Sequence, residues 1–222
     1  MNNATPSPRS LKISEIFFSL QGEASRVGLP TVFIRLAGCP LRCSWCDTEY
    51  AFSGGEWMSC AEILAVVSRY PTRHVCVTGG EPLAQKDCLE LLAMLCATGH
   101  EVCLETSGAL PIHEVDARIA RIVDLKPPSS GEVQKNHWDN LAQLTPRDEL
   151  KIVIANREDY EWAINTLKER AEFLLSGCQI WFSPAHNQQD ARELAEWILA
   201  DGLPVRLQIQ LHKTLWGNMR GK

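Results

Sequence analysis

Short apolar runs rich in Val and Ile alternate along this chain with segments whose apolar residues recur at three-to-four spacing. The first pattern is typical of buried strands and the second of amphipathic helices, and their repetition predicts an α/β fold with a mainly parallel sheet. The predicted strands are Thr31–Ala37, His74–Thr78, Glu101–Glu105, Arg121–Leu125, Glu149–Ala155, Gln179–Ser183 and Val205–Leu211. The predicted helices are Ser59–Tyr70, Gln85–Thr98, Arg157–Leu175 and Gln188–Ala200.

Two of these segments carry further local signals. Ser59 and Glu62 have the spacing of a capping box, which satisfies backbone donors at a helix start. In Val205–Leu211 apolar and polar residues alternate strictly. We therefore expect the polar face of this last strand to line a cavity.

Length and composition predict one domain. The 222 residues contain no obvious linker or repeat, so we assign residues 1–222 to a single domain, with 1–10 as a flexible N-terminus and 214–222 as a C-terminal tail. The polar Met1–Ser10 lacks the apolar core of a secretion signal, and no run approaches the roughly 18 apolar residues of a membrane-spanning helix. We expect a soluble, cytoplasmic protein with no membrane partner.

Charge and cysteine content narrow the function classes. A formal net charge of -5 argues against a nucleic-acid partner and favours a small molecule, because nucleic-acid affinity comes largely from clustered Lys and Arg. Nine cysteines without a secretion signal indicate a reducing compartment, in which thiols serve metals or catalysis.

The unusual residues follow the predicted strands. Parallel β/α folds place their chemistry in loops beyond the carboxyl ends of the strands, so these loops should surround a single site. They are Gly38–Thr48, Gly79–Pro82, Thr106–Gly108, Lys126–Ser130, Pro184–Asn187 and His212–Lys213.

The first loop places three thiols within eight residues, at Cys39, Cys43 and Cys46. A structural zinc site needs a fourth ligand at matching spacing, and the other six cysteines include no closely spaced pair. Three thiolates suit a 4Fe-4S cluster that leaves one iron open. Buried thiols or an opportunistic zinc site are the alternatives.

The C-x3-C-x2-C spacing, with Trp45 before the last cysteine, resembles the radical S-adenosylmethionine (SAM) superfamily. The resemblance implies that the open iron binds SAM and that reductive cleavage yields a 5'-deoxyadenosyl radical. Gly79-Gly80-Glu81-Pro82 resembles the superfamily's GGEP motif, although paired glycines alone are usually only a turn. The predicted SAM contacts at this and other strand ends are Gly80, Ser107, Asp124, Leu125, Lys126, Ser183, Pro184, Ala185 and His186. For Lys126, a solvated surface lysine is an equal alternative.

Three further segments, residues 17–23, 33–48 and 208–213, together resemble the 7-carboxy-7-deazaguanine synthase family over nearly the whole chain. The resemblance implies a partial (β/α)6-type, TIM-like barrel and conversion of 6-carboxy-5,6,7,8-tetrahydropterin to 7-carboxy-7-deazaguanine with loss of ammonia, in queuosine or deazapurine synthesis. It also implies Mg²⁺, an electron donor such as flavodoxin and a homodimer.

By the same resemblance, the pterin would contact Leu20, Gln21, Gly22, Arg35 and Thr78, and Thr48 would coordinate Mg²⁺. Arg35 also stands out without the resemblance, because an arginine inside an apolar strand is costly unless paired. Its partner is either an anionic ligand or an internal Asp or Glu.

The sequence departs from the family pattern at Ala24, where relatives often have Gly, and at Glu132, where they often have Met. The basic tail 214–222 either serves the site or only keeps the end soluble. Two other classes stay open: a glycyl-radical activase with similar cysteine spacing, and a non-enzymatic metal-binding module that contacts nucleic acid.

Overall fold

A computed structural model of the chain describes residues 10–170 and 176–222. Nine strands lie within these residues: β1 Ser10–Leu20, β2 Pro30–Leu36, β3 Glu56–Ser59, β4 His74–Gly79, β5 Glu101–Thr106, β6 Ala120–Leu125, β7 Glu149–Ile154, β8 Gln179–Pro184 and β9 Arg206–Leu207. They form one sheet in the order β3-β1-β2-β4-β5-β6-β7-β8-β9. From β2 to β9 neighbouring strands are parallel, whereas β1 is antiparallel to both β2 and β3.

Among the described residues, four helices cover the outer face of this sheet: α1 Cys60–Val67, α2 Cys88–Ala97, α3 Arg157–Glu169 and α4 Ala191–Asp201. A further helix, α5 Leu211–Trp216, lies at the cavity instead. Alternate strand residues such as Ile34, Val77 and Leu104 point outward and are fully buried with Leu91 of α2 and Tyr160 of α3. Burial of this apolar surface is the main term that holds helices to sheet. In the described part of the chain, no helix is both long and apolar enough to cross a membrane.

Side chains on the inner face of the sheet form two layers, one apolar and one polar. The apolar layer, here called the apolar floor, consists of Ala24, Phe33, Cys76, Cys103, Ala120 and Ile122. Two residues further along each strand, polar side chains replace apolar ones, because side chains at i and i+2 share a face. This polar ring consists of Arg35, Thr78, Glu105, Asp124 and Lys151, all of which line a cavity.

The helix start at Ser59 is confirmed: its hydroxyl accepts the Glu62 amide, and the Glu62 carboxylate accepts the Ser59 amide in return. Most predicted strands agree with the structure to within one or two residues. The helix predicted to end at Leu175 ends at Glu169, and residues 171–175 lie outside the described part. The predicted flexible stretch 1–10 also lies outside it, except for Ser10, where β1 begins.

Two strands, β1 and β3, were missed, and the last strand was predicted wrongly. β1 contains Glu15, which is tolerated because Arg35 of β2 pairs with it. The predicted strand Val205–Leu211 shortens to Arg206–Leu207, and Leu211 begins α5. The alternating Gln208 and Gln210 do not form a strand face, because both amides donate to the Glu23 carboxylate.

Candidate active site

The loops beyond the strands' carboxyl ends enclose one cavity of about 570 Å³. Its lining includes all but one of the residues predicted to bind metal, SAM or substrate. Those present are Leu20, Gln21, Gly22, Arg35, Cys39, Cys43, Cys46, Thr48, Thr78, Gly80, Ser107, Asp124, Lys126, Ser183, Pro184, Ala185 and His186. Leu125 is not among them; its side chain is 4% exposed and packs in the main core.

Arg42 holds the shape of the cysteine loop. Its guanidinium donates to the carbonyl oxygens of Cys39 at 2.8 Å and Leu41 at 2.6 Å, and it stacks over the ring of Phe52. The Glu132 carboxylate accepts the backbone N–H of Arg42 at 2.6 Å. The loop is therefore fixed by its own side chains.

The three loop thiols are partly exposed and face the same cavity. Burial raises the pKa of Cys39 and Cys43, and the nearby Lys126 ammonium opposes this rise at both. Among the described residues, no three His, Cys, Asp or Glu side chains are arranged around a single metal ion. Thiols spread along one cavity wall fit a cluster, in which each thiolate binds a different iron.

The Gly79-Gly80 turn packs directly against the cysteine loop. Gly80 N donates to Leu36 O at 3.0 Å, and Glu81 N donates to Gly38 O at 2.8 Å. A Cβ at Gly80 would overlap the Gly38 carbonyl oxygen, and Gly79 has φ +143, which favours glycine. The paired glycines thus permit contact between two loops.

Glu81 of the same motif is a positioning residue. Its carboxylate is fully buried and accepts Thr106 Oγ1 at 2.9 Å and Ser107 N at 2.7 Å, as well as the Ser107 hydroxyl. Glu81 therefore ties the end of β5 to the end of β4 and fixes Ser107 at the cavity wall.

The predicted substrate residues converge on Glu105. Thr78 Oγ1 donates to Glu105 Oε2 at 2.8 Å, and Gln21 Nε2 donates to Glu105 Oε1 at 3.2 Å. Gln21 Oε1 accepts the Gly22 amide at 2.8 Å. The sequence analysis gave Glu105 no site role beyond its place at the end of a predicted strand, so its two contacts with predicted substrate residues are a finding of the structure.

Arg35 has an internal partner. Its Nε donates to Glu15 Oε1 at 2.8 Å, and the Tyr50 hydroxyl donates to the same oxygen. The internal salt bridge considered as an alternative is therefore present. Among the described residues no acceptor contacts the Arg35 Nη atoms, which leaves this cavity-lining guanidinium able to bind an anion as well.

The C-terminal segment closes one side of the cavity. The His212 ring lies against Gly22, where an added Cβ would overlap it, and Lys213 Nζ lies 2.9 Å from Asp47 Oδ2. Residues 217–222 also line the cavity, with the Arg220 guanidinium 3.9 Å from the Tyr50 ring centroid. The tail therefore lies at the site.

Comparisons with known proteins agree with this geometry. Residues 33–198 match the Radical SAM superfamily. The 7-carboxy-7-deazaguanine synthase of Chlorobaculum tepidum is 47% identical over 209 residues, covering 93% of this chain and 94% of that protein. The 7-carboxy-7-deazaguanine synthase of Koribacter versatilis is 43% identical, covering 93% and 97%. The chain belongs to the 7-carboxy-7-deazaguanine synthase family.

A solved structure with a similar fold supports the partial-barrel architecture. The crystal structure of QueE from Escherichia coli has a TM-score of 0.73 and 27% identity, and covers 91% of this chain and 95% of that one. The predicted family and the mostly parallel partial barrel are both confirmed. Radical SAM membership implies a 4Fe-4S cluster and SAM. These matches favour the synthase family over the glycyl-radical activase and over the nucleic-acid-binding module.

The two departures from the pattern of the 7-carboxy-7-deazaguanine synthase family have structural roles. Ala24 has a positive φ of 62 and packs in the apolar floor, while its N–H donates to Gln208. A glycine adopts this conformation more readily, but lacks the methyl group that fills the floor. Glu132 is the acceptor for the Arg42 amide.

Sequence reasoning missed Glu23 and Lys151, which lie in this family member's cavity. Lys151 Nζ lies 2.9 Å from Glu23 Oε2 and 3.3 Å from Asp124 Oδ2. The available signal was a lysine between Leu150 and Ile152 in an apolar strand, the same kind of anomaly that drew attention to Arg35.

Proposed function

We propose that this chain is a 7-carboxy-7-deazaguanine synthase that converts 6-carboxy-5,6,7,8-tetrahydropterin to 7-carboxy-7-deazaguanine with loss of ammonia. The observation that carries the proposal is one cavity lined by two chemically different sets of residues. The three thiols and the Gly79-Gly80 turn form one set, and Gln21, Thr78, Glu105 and Arg35 form the other. Family membership supports this activity.

Cys39, Cys43 and Cys46 would hold the cluster, and Gly80, Ser107, Asp124 and Lys126 face the space in which SAM would lie. Cluster and SAM supply a 5'-deoxyadenosyl radical for hydrogen abstraction from the substrate. The protein's own contribution is to orient the pterin, exclude water and hold charges in place. Leu125 and the loop 183–186 keep their proposed role in SAM binding, Leu125 through its backbone because its side chain is buried.

The second set of residues suits a carboxylated pterin. Arg35 offers free Nη donors to a carboxylate, which is a strong charge-assisted contact. Gln21, Thr78 and the carboxylate of Glu105 offer donors and acceptors for an amide-like ring edge. Leu20 and Gly22 line the same cavity and would contact the pterin through their backbone groups.

The proposal includes a Mg²⁺ ion beside the cysteine loop. Thr48 lines the cavity, with its hydroxyl 3.8 Å from Cys46 Sγ and with Asp47 beside it. Mg²⁺ prefers oxygen ligands and usually completes its shell with substrate and water. Thr48 and the pterin carboxylate would therefore share the ion.

The cellular setting follows from the same chemistry. The chain has nine cysteines and forms no disulfide within the described residues, which fits a reducing compartment such as the cytoplasm. The cluster requires an electron donor, for which a flavodoxin is suitable, and we propose a homodimer of single-domain chains.

The test is anaerobic reconstitution with iron and sulfide, followed by reduction with SAM, Mg²⁺ and the tetrahydropterin. We expect the deazaguanine product by mass spectrometry and loss of turnover in Cys39→Ala. Formation of 5'-deoxyadenosine without any deazaguanine would reject the substrate while retaining radical SAM chemistry.

A further inference from the structure

A continuous chain of alternating charges links Glu23, beside the proposed substrate residues, to Lys126, and all of its members line the cavity. Glu23 contacts Lys151 at 2.9 Å, Lys151 contacts Asp124 at 3.3 Å, and Asp124 contacts Lys126 at 3.2 Å. All four side chains are largely buried, with 11–16% of each exposed. Lys126 in turn acts electrostatically on Cys39 and Cys43.

This chain of charges joins three segments: the loop after β1, the end of β6 and strand β7. Glu23 follows Gln21 and Gly22 directly, so it moves with the predicted substrate loop. It also accepts Gln208 at 2.9 Å and Gln210 at 2.7 Å, which anchors the C-terminal segment. Asp124 and Lys126 end β6 on the SAM side, whereas Lys151 projects from β7 between the two carboxylates.

One of the two carboxylate oxygens of Asp124 has no partner in the described structure. The Oδ2 atom of Asp124 receives both lysines, but the Oδ1 atom is buried without a hydrogen-bond partner in the described structure. A buried carboxylate oxygen without a donor is costly, so it indicates a place for a ligand donor. The orientation of this free oxygen depends on the lysines that hold the other one.

Lys151 stays charged between these groups. Burial alone would lower the pKa of Lys151, but Glu23, Asp124 and Glu105 together raise the pKa well above its ordinary value. Burial likewise opposes ionisation of Glu23, yet Lys151 and Gln210 hold the pKa of Glu23 below its ordinary value. Loss of the Lys151 charge would leave two carboxylates facing each other in a poorly solvated space.

We propose that Lys151 is a positioning residue that couples the substrate side of the cavity to the SAM side, so that binding of one ligand strengthens binding of the other. This inference rests on the proposed function. Substrate bound at the Gln21–Glu23 loop holds the Glu23 carboxylate in place. The ion pair with Glu23 then holds the Lys151 ammonium, and Lys151 in turn orients the Asp124 carboxylate toward SAM. Because coupling free energies are reciprocal, SAM must strengthen substrate binding by the same factor.

The test measures the dissociation constant of SAM for the cluster-loaded enzyme, with and without saturating tetrahydropterin. For the unchanged enzyme we expect the pterin to tighten SAM binding by a factor on the order of 5 to 150. In Lys151→Met the factor should approach one, and Lys151→Arg should restore most of it. Glu23→Gln breaks the same link from its other end and should also lower the factor.

A second readout follows the fate of SAM. With coupling lost, SAM cleavage no longer depends on a correctly held substrate, so Lys151→Met should release more 5'-deoxyadenosine per deazaguanine formed. A purely structural lysine would lower both amounts in parallel and leave their ratio unchanged.

Arg121→Met is the matched control. This change breaks the buried ion pair between Arg121 and Asp148, and neither residue lines the cavity. It should lower the melting temperature while leaving the coupling factor intact. An unchanged factor in both Lys151→Met and Glu23→Gln, or equal loss in Arg121→Met, overturns the inference. Absence of product and of pterin binding in the unchanged enzyme would instead reject the proposed function.

Discussion

Gly80 lies so close to Gly38 that no side chain fits between the glycine turn and the cysteine loop. The two residues are 42 positions apart in the sequence, one directly before the three cysteines and the other within the Gly79-Gly80 turn. Their contact shows why the motifs occur together: the turn supports the loop that carries the thiols.

Gly80→Ala should therefore damage the cluster site without unfolding the protein. The new methyl group pushes the cysteine loop outward, and a displacement of about 1 Å at a reacting centre costs on the order of a hundredfold in turnover. Iron content and turnover after reconstitution measure this. Gly202→Ala has positive φ but open space at the Cβ position, so it should lower stability and leave turnover unchanged.

Cys43→Ala should abolish the visible absorbance of the cluster and all activity, because two thiolates do not hold the cube securely. The matched control is Cys96→Ala on α2, whose thiol does not line the cavity. Cys96→Ala should keep its iron. Full iron content in Cys43→Ala would contradict the assignment of this loop.

Arg35→Lys should weaken pterin binding about 10- to 100-fold, since a hydrogen bond to a charged group contributes about 1.5–3 kcal/mol. Lysine keeps the charge but loses the planar donors that reach beyond Glu15. Equilibrium binding of the pterin is the measurement, with iron content as the check on the cluster. Glu15→Gln should have a smaller effect; equal effects would mean that Arg35 serves only the internal pair.

Removal of residues 217–222 should raise the KM for the pterin and leave the iron content unchanged. The reason is that this segment covers the cavity without touching the cysteine loop's own hydrogen bonds. Arg220→Ala, which removes one cation–π contact worth about 1 kcal/mol, should reproduce part of the change. An unaltered KM would mean that the tail only solubilises the chain end.

Acid should remove the contribution of the Arg121–Asp148 pair to stability. Burial alone would raise the pKa of Asp148, but hydrogen bonds from Arg121 and Thr145 lower the pKa below its ordinary value. A lowered carboxyl pKa stabilises the folded state above the unfolded pKa of about 3.9, and this contribution disappears as pH falls through the folded pKa. The stability difference between the unchanged protein and Asp148→Asn, from urea unfolding, should shrink between pH 7 and acid. A constant difference would contradict this.

Local motifs were readable from the sequence because they specify backbone geometry over a few residues. The cysteine loop and the glycine turn depend on neighbours along the chain, and residues of both line the cavity. The link between Glu23 and Lys151 joins residues 128 positions apart, so neither residue alone reveals it. The alternation of polar and apolar residues around Gln208 and Gln210 was misread as a strand for the same reason. Both amides bind Glu23, which is distant in the sequence, so the sequence does not reveal this common partner.

The sheet ends at β3 and β9, which do not pair with each other, and the loop after β1 lies across toward β7, where Ser25 binds Glu149. An unclosed barrel leaves more width than a closed one, and here a loop and a tail fill the remainder. The dimensions of the reaction chamber are thus determined by segments that can lengthen or shorten while every strand keeps its register. Substrates of different size are accessible to this architecture through changes outside the sheet.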